Sequence, residues 1–293
     1  MHLLLIIICL FSACQQNTTC QQSNNVHLLT TLDKSLEETS GLIWFDNSFW
    51  TINDSGGEAA IYRLDAQKGT AMQTVQISNG KNVDWEDMTQ DDKHIYIGDT
   101  GNNRGSRRSF TIYKIQKSDL SLTKPKQWVT AQKIHFNYKD QPRELTPYAH
   151  NFDCEALVSI KGQLYIFSKN WQSHTTTYYL INEKTGQAIR QGSLNTDGLI
   201  TGADYHVTDD QLVLSGYSFN EDQLFDPFIG IVTSFTQNVS HQFKKISLPT
   251  LLHHQVEGVC FTPQGIFFTN ENSKLQTQAN SKKIPPSLHQ LIK

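Results

Sequence analysis

The chain reads as an all-β fold, a single β-propeller of four-stranded blades. Three observations predict it. Strand-forming runs recur along the sequence, and no long stretch carries the helical period. Five segments line up with one another without gaps, the mark of a repeat architecture. One strand, at the N-terminal end, is left over with no unit of its own, which suits a ring that closes on itself.

The five segments are "SGLIWFDNSFWTIND" from Ser40, "EDMTQDDKHIYIGDT" from Glu86, "EALVSIKGQLYIFSK" from Glu155, "GADYHVTDDQLVLSG" from Gly202 and "EGVCFTPQGIFFTNE" from Glu257. Each opens on a Glu, Ser or Gly, which serves as an anchor. A loosely apolar stretch follows, then a turn: Asp46-Asn47, Asp91-Asp92, Lys161-Gly162, Asp209-Asp210 or Gln264-Gly265. A strongly β-prone run comes next, ending on Asn53, Asp99, Ser168, Ser215 or Asn270. Each segment is therefore a tight β-hairpin.

A third strand follows in most units: "AIYRLD", "FTIYKI", "TYYLIN", "FIGIVTSF". The segments "DAQKG" (65–69) and "NEKTG" (182–186) are turns with glycine at the left-handed position. A fourth strand then leads to the next anchor: "AMQTVQI", "WVTAQKIHF", "QAIRQGSL", "HQFKKISL". Four antiparallel strands per unit make a propeller blade.

The last unit shows a hairpin, a weak third strand near Leu275 and no clear fourth. The leading strand "VHLLTTL" (26–32) is expected to complete it and close the ring. Five blades are expected. Six with one degenerate member, or a two-sheet sandwich, are the alternatives. The second unit is the longest, with its extra residues mostly in "KDQPRELTPYAHNF" (139–152).

The first residues differ in character. Leu3 to Phe11 is an apolar run too short to span a bilayer and suited to a signal-peptide core. Ser12 and Ala13 then precede Cys14. This resembles a bacterial lipoprotein signal, which implies a lipidated Cys14 as the mature N-terminus and an anchor in the cell envelope, at the outer membrane or in the periplasm. No Lys or Arg precedes the run, and an ordinary secretory signal is the alternative. The expected organisation is signal peptide 1–13, polar tether 14–25 and propeller 26–293. Of the cysteines, only Cys154 and Cys260 fall in the folded part, where buried free thiols are expected rather than a disulfide framework or a zinc site.

The formal charge is -3, so no nucleic-acid partner is expected. Acids are locally dense in "VDWEDMTQDDKHIYIGDTGNN" (83–103), and the repeat sorts them. Asp91 and Asp92 belong to a hairpin turn on the far face. In a propeller, the loop entering the first strand and the loop leaving the second meet near the central channel. Glu86, Glu155 and Glu257 hold one equivalent position there. Asn53, Asp99 and Asn270 hold another. Asp84 precedes an anchor by two residues, and Asp54, Lys169 and Glu271 follow the second strand. Asp87 stays unassigned.

Carboxylates brought together repel one another, and a hard cation relieves them. Ca²⁺ takes oxygen ligands from Asp, Glu and Asn. Glu86, Glu155, Glu257, Asn53, Asp99 and Asn270 are thus the candidate metal ligands, for Ca²⁺ or another divalent cation. Asp54, Asp84, Lys169, Glu271 and Arg104 are candidates for contact with a further ligand. The competing reading is that each acid holds its own loop by accepting backbone N–H bonds.

"DTGNNRG" (99–105) is not an EF-hand loop, because Phe110 stands at the twelfth position and strands flank it. His150, His253 and His254 lie just before anchors. Arg107 and Arg108 share the long loop with Arg104. Trp85, Trp171 and Tyr217 are candidates for stacking on a planar ligand or for the core.

The combination of "NDSGG" (53–57), "DWED" (84–87) and "GDTGNN" (98–103) resembles a group of secreted bacterial propellers of unknown function. More distantly, Glu-Gly or Ser-Gly where the first strand begins is similar to the regucalcin/gluconolactonase and esterase-like phytase propellers. That resemblance implies a divalent cation at the channel mouth and hydrolysis of esters or lactones there. Glu86, Glu257, Asn53, Asp99 and Asn270 are the matching positions. Those propellers have six blades, against five counted here.

Three functions follow as expectations: an envelope-anchored binder or scaffold that uses this face for a small molecule, a glycan or an envelope protein; a metal-dependent hydrolase of a lactone, ester or phosphoester; or a protein whose acids are structural and whose working surface lies elsewhere. A monomer is expected, touching the membrane only through its lipid.

Overall fold

The structure is a computed structural model and describes residues 25–222, 224–237, 241–276 and 281–292. The apolar run, Cys14 and nearly all of the tether lie outside the described residues. The described chain is all-β, with 3₁₀ turns and no α-helix.

Strand β1 (Asn25–Thr31) comes first. The first unit is β2 (Thr39–Phe45), β3 (Ser48–Asn53), β4 (Ala60–Asp65) and β5 (Thr70–Ile77). Then come β6 (Trp85–Gln90), β7 (His94–Asp99), β8 (Phe110–Gln116), β9 (Lys126–Val129) and β10 (Gln132–Tyr138). The third unit is β11 (Cys154–Ile160), β12 (Gln163–Ser168), β13 (Thr176–Asn182) and β14 (Gln187–Leu194). The fourth is β15 (Leu199–His206), β16 (Gln211–Phe219), β17 (Phe225–Thr233) and β18 (Phe243–Ser247). The last strands are β19 (Val256–Thr262), β20 (Gly265–Asn270), β21 (Ser273–Gln276), β22 (Ser281–Ile284) and β23 (Ser287–Ile292).

Within units the pairing is antiparallel. The sheet orders are β2-β3-β4-β5, β6-β7-β8-β10, β11-β12-β13-β14, β15-β16-β17-β18 and β19-β20-β23-β1. Two parallel pairs add to this pattern. β9 lies along β5, and Asn137 and Tyr138 of β10 pair with Gln187 and Ala188 of β14, which joins the second and third units into one sheet.

The structure corrects the sequence reading in three places. "WVTAQKIHF" is not one strand. It breaks at Thr130-Ala131, so that β9 serves the first unit and β10 the second. The weak strand near Leu275 is β21, which pairs only with β22 as a separate ribbon. The third strand of the last sheet is β23, bracketed by β20 on one side and β1 on the other.

The third correction concerns the fourth hairpin. There Gly202 pairs with Ser215 and His206 with Gln211, which leaves a four-residue turn, Val207–Asp210, where the third hairpin has only Lys161-Gly162. A gapless alignment splits this excess between the two strands. It therefore selects Gly202 and Ser215 where the pairing selects Thr201 and Gly216. One residue of slip moves a side chain to the other face of a strand.

The core lies between neighbouring sheets, in five clusters. Ile43 and Trp50 of the first unit pack with Ile97 and Tyr113 of the second. Leu42 and Phe49 pack with Cys260 and Phe267, which ties the first unit to the last. Fully buried aromatics such as Trp50, Trp85 and Phe268 each stabilise this packing by about 2–3 kcal/mol. Cys154 and Cys260 are buried free thiols.

The innermost strands lie side by side in sequence: β2 beside β6, then β11, β15 and β19, with β19 beside β2 again. Side chains tie them together across the centre. Ser40 Oγ donates to Glu86 O, and Gln90 Nε2 donates to Trp44 O at 2.8 Å. Thr201 Oγ1 donates to Val256 O at 2.6 Å. Asp87, unassigned from the sequence, is the central piece. Its Oδ1 accepts from Met88 N, and its Oδ2 accepts from Leu157 N at 2.9 Å and Ala203 N at 3.2 Å. Its counterparts one step past each bulge are small, Gly41 and Gly258 among them. A Cβ on Gly41 would fall 2.3 Å from Met88 N, and one on Gly258 2.3 Å from Ser40 O.

Candidate functional site at the channel mouth

The site begins with a repeated irregularity. In each innermost hairpin the register shifts near the start of the first strand. The shift falls between Thr39 and Leu42, Trp85 and Asp87, Cys154 and Ala156, Ile200 and Gly202, and Val256 and Val259. A β-bulge leaves an extra residue and re-aims its side chain. The bulged residues are Ser40, Glu86, Glu155, Thr201 and Glu257, followed in three hairpins by glycine. All but Thr201 line one cavity of about 250 Å³ at the end of the ring.

The residue that follows the partner of each pre-bulge residue supplies a second tier. Asp54, Lys169, Tyr217 and Glu271 also line this cavity. Thr100 holds the same place in the second unit, after Asp99. Tyr217 enters the set only once the fourth hairpin is read in its true register.

The cavity is strongly acidic. Glu86, Glu155 and Glu257 are 5%, 4% and 5% exposed. Glu155 Oε2 is paired with Lys169 Nζ at 3.0 Å, and Glu257 Oε1 accepts from Gln255 Nε2 at 2.9 Å. No donor among the described residues reaches the Glu86 carboxylate. Burial, with repulsion from Glu155, Asp54 and Asp84, pushes the Glu86 carboxyl well above its usual range. Burial likewise raises Glu155, Glu257 and Glu271. Asp54 is pushed up to about 7 by burial and by Asp84, and Asp84 to about 6 by burial and by Asp153. Burial alone works against the charge on Lys169, but Glu155, Tyr217 and Glu257 outweigh it and hold the ammonium above its ordinary value.

One oxygen each from Asp54, Asp84 and Glu86 lies within 4.8 Å of the others. Three carboxylate oxygens at that spacing fit around one hard cation, whose ligands sit about 2.3–2.6 Å away. Asp84 also lines a neighbouring cavity of about 310 Å³, with Arg104, Arg107 and Asn102. The three carboxylates therefore stand at the wall between the two cavities.

The sequence-selected residues divide accordingly. Glu86, Glu155, Glu257, Asp54, Lys169 and Glu271 come together at the mouth. Asp84 joins from the adjacent wall, and Arg104, exposed, lies in the adjacent cavity. Asn53, Asp99 and Asn270 do not line the mouth. Asn53 Nδ2 donates to Ser35 O at 2.8 Å, and its Oδ1 is buried without a partner. Asn270 Nδ2 donates to Pro285 O at 2.9 Å, and its Oδ1 meets His289 Nε2 at 2.8 Å. Asp99 Oδ1 accepts from Arg107 at 2.9 Å and from Asp84 N at 3.2 Å. These three hold loops, because neighbouring side chains of a strand point opposite ways and the next residue faces the channel instead.

Most of the remaining candidates are structural as well. Arg107 is tied to Asp99 and to Gly101 O, and Arg108 to Pro142 O and Arg143 O. Trp85 is core, while Trp171 and Tyr217 line the mouth. His150 is buried and accepts from Phe152 N; neither it nor His253 or His254 lines the mouth. Asp91 is turn chemistry: the Tyr96 hydroxyl and the Lys93 and His94 N–H groups outweigh burial and lower its carboxyl to about 2. Aromatic residues at the rim, Tyr148, Phe219 and Phe225, escaped the sequence reading, since no repeat position marks them.

No protein-family model matches the sequence, and no curated protein is similar to it. Solved structures are similar in fold. A glucose dehydrogenase shares 8% identity at a TM-score of 0.53, over 92% of this chain and 99% of that one. An exo-β-1,3-galactanase from Phanerochaete chrysosporium shares 8% at 0.52, over 92% and 67%. The GH43 β-1,3-galactosidase BT3683 shares 10% at 0.50, over 89% and 94%. These are propeller-like enzymes, and identities this low speak to the fold alone. The chain has a β-propeller fold.

Proposed function

We infer that the chain is a five-bladed propeller whose acidic mouth binds a divalent cation, Ca²⁺ by donor chemistry, and presents it to a ligand or partner. The five inter-sheet clusters and the ring of innermost strands support the blade count. The pairing of β1 with β23 supports closure by the N-terminal strand. With Cys14 lipidated, this mouth faces the envelope space, within reach of a small molecule, a glycan or an envelope protein. The carrying observation is the convergence of Asp54, Asp84 and Glu86 oxygens within 4.8 Å. All-oxygen donors suit Ca²⁺ better than the softer metals.

The test is thermal. Ca²⁺ is expected to raise the melting temperature of the protein, and Glu86→Gln to remove most of the rise. No shift in either protein would sink the metal site.

Hydrolysis of a lactone, ester or phosphoester is the second reading. It is favoured by Glu155, Glu257 and Glu271, acids that line the same cavity outside the cation's ligand set, where one could serve as general base. There the cation would polarise the substrate oxygen. Ca²⁺-dependent turnover on an esterase, lactonase and phosphatase panel, lost in Asp54→Asn, would select this reading over binding alone.

A further inference from the structure

We propose that the mouth recognises an organic ammonium ion, a primary amine carried on a small apolar or flat body. This rests on the reading of the mouth as a cation site and names a ligand for it.

The cavity has two unlike linings. Asp54, Glu86, Glu155, Glu257 and Glu271 share it with Lys169, the one base among its described residues. Tyr148, Trp171, Phe219 and Phe225 line it too, with Tyr148 52% and Phe219 38% exposed. Buried acids and exposed aromatic residues thus meet in one cavity. Glu86 is 5% exposed, lines the cavity and receives no hydrogen bond from the described residues. A buried carboxylate left in that state calls for a donor from outside.

The protein already holds one ammonium in this manner. Lys169 Nζ sits 3.0 Å from Glu155 Oε2, and 5.0 and 5.3 Å from the ring centroids of Trp171 and Tyr217. Carboxylate below and aromatic faces around make the combination that recognises alkylammonium groups. Glu257, Glu271, Phe219 and Phe225 line the same cavity with no base of their own. A metal ion uses the carboxylates and ignores the rings. A neutral sugar uses the rings and leaves the carboxylates uncompensated. An amine on an apolar body uses both. Asp84, which lines the neighbouring cavity, stays available to the metal.

The test is calorimetric titration of the full-length chain with phenethylamine, beside neutral 2-phenylethanol and anionic phenylacetate. The amine is expected to bind and the other two to stay silent. Phe219→Ala and Glu271→Gln are each expected to weaken the amine about tenfold, while both variants keep a cooperative ligand-free melt. Asp84→Asn is expected to lose the Ca²⁺ response and keep the amine. Equal binding of amine and alcohol would overturn the proposal, as would a Ca²⁺ response with no amine binding, which leaves the metal reading intact. Amine binding without any Ca²⁺ response supports the proposal and removes the metal reading alone.

Discussion

Asp87 occupies the crowded centre of the ring, where its counterparts are small, and its carboxylate accepts three backbone N–H groups from three strands. Burial still pushes its carboxyl well above the usual range. Asp87→Ala would strand those donors in a dry site, at about 1–3 kcal/mol for each one that finds no new partner. A clear fall in the unfolding midpoint in urea is expected; wild-type stability would refute the bridging role. The mouth acids make a separate prediction about pH. Asp54 and Asp84 rise from 3.8 to about 7 and about 6 in the folded state. Between those limits the folded chain keeps protons that the unfolded chain has released. Metal-free stability should therefore decline from about pH 4 to about pH 7, and saturating Ca²⁺ should flatten the decline. A melting temperature that climbs across this window would contradict the raised values. Neither role was legible residue by residue: "DWED" shows four polar or aromatic letters, and only the bulge at Glu86 sends Glu86 to the mouth and Asp87 to the axis.

At the scale of elements, most hairpins were readable because their turns are short and explicit. Asp46-Asn47 and Lys161-Gly162 take positive φ at both residues, the left-handed geometry that such two-residue loops require. Two glycines with similar φ separate conformation from contact. Gly162, at φ +77°, has open space for 4 Å around the place a Cβ would take, so Gly162→Ala should cost about 1 kcal/mol. Gly69, at φ +70°, would place a Cβ 1.9 Å from Thr31 O at the end of β1. Gly69→Ala should cost at least about twice as much, and paired denaturation curves would show the difference. Strands were misread where partners came from elsewhere. "WVTAQKIHF" carries one continuous β-prone pattern, yet its halves pair with β5 and β8 in different sheets. Strand β23 follows Pro285-Pro286 and carries no repeat signal of its own, although β20 and β1 pair with it on both edges.

For the whole molecule, the pairing of β1 with β23 joins the two ends of the described chain in one sheet, and the cluster around Leu42 and Phe267 binds that sheet to the first unit. Removal of residues 1–31 would expose the edge of β23, an invitation to pair with another copy. The truncated chain is expected to elute as oligomers or aggregate in size-exclusion chromatography, and a folded monomer would show that the pairing of β1 with β23 is dispensable. A cavity of about 770 Å³ lies on the other face and includes Asp91, Asp92 and Lys161 from the hairpin turns. The two faces of the molecule thus divide turn chemistry from the converging carboxylates.

The sequence by itself determined the strand-rich repeat, the hairpin turns and the recurrence of Glu86, Glu155 and Glu257 at one position, because these follow from local pattern and backbone preference. Only the tertiary structure decided which acids meet. Asp54, Asp84 and Glu86 converge because bulges and loop ends from two hairpins are brought side by side, while Asn53, Asp99 and Asn270 are consumed by neighbouring backbone groups and by Arg107. Register is the physical reason. A strand's side chains alternate between faces, so a bulge or a two-residue change in a turn, invisible to periodicity, sets whether a carboxylate faces the channel or its own loop.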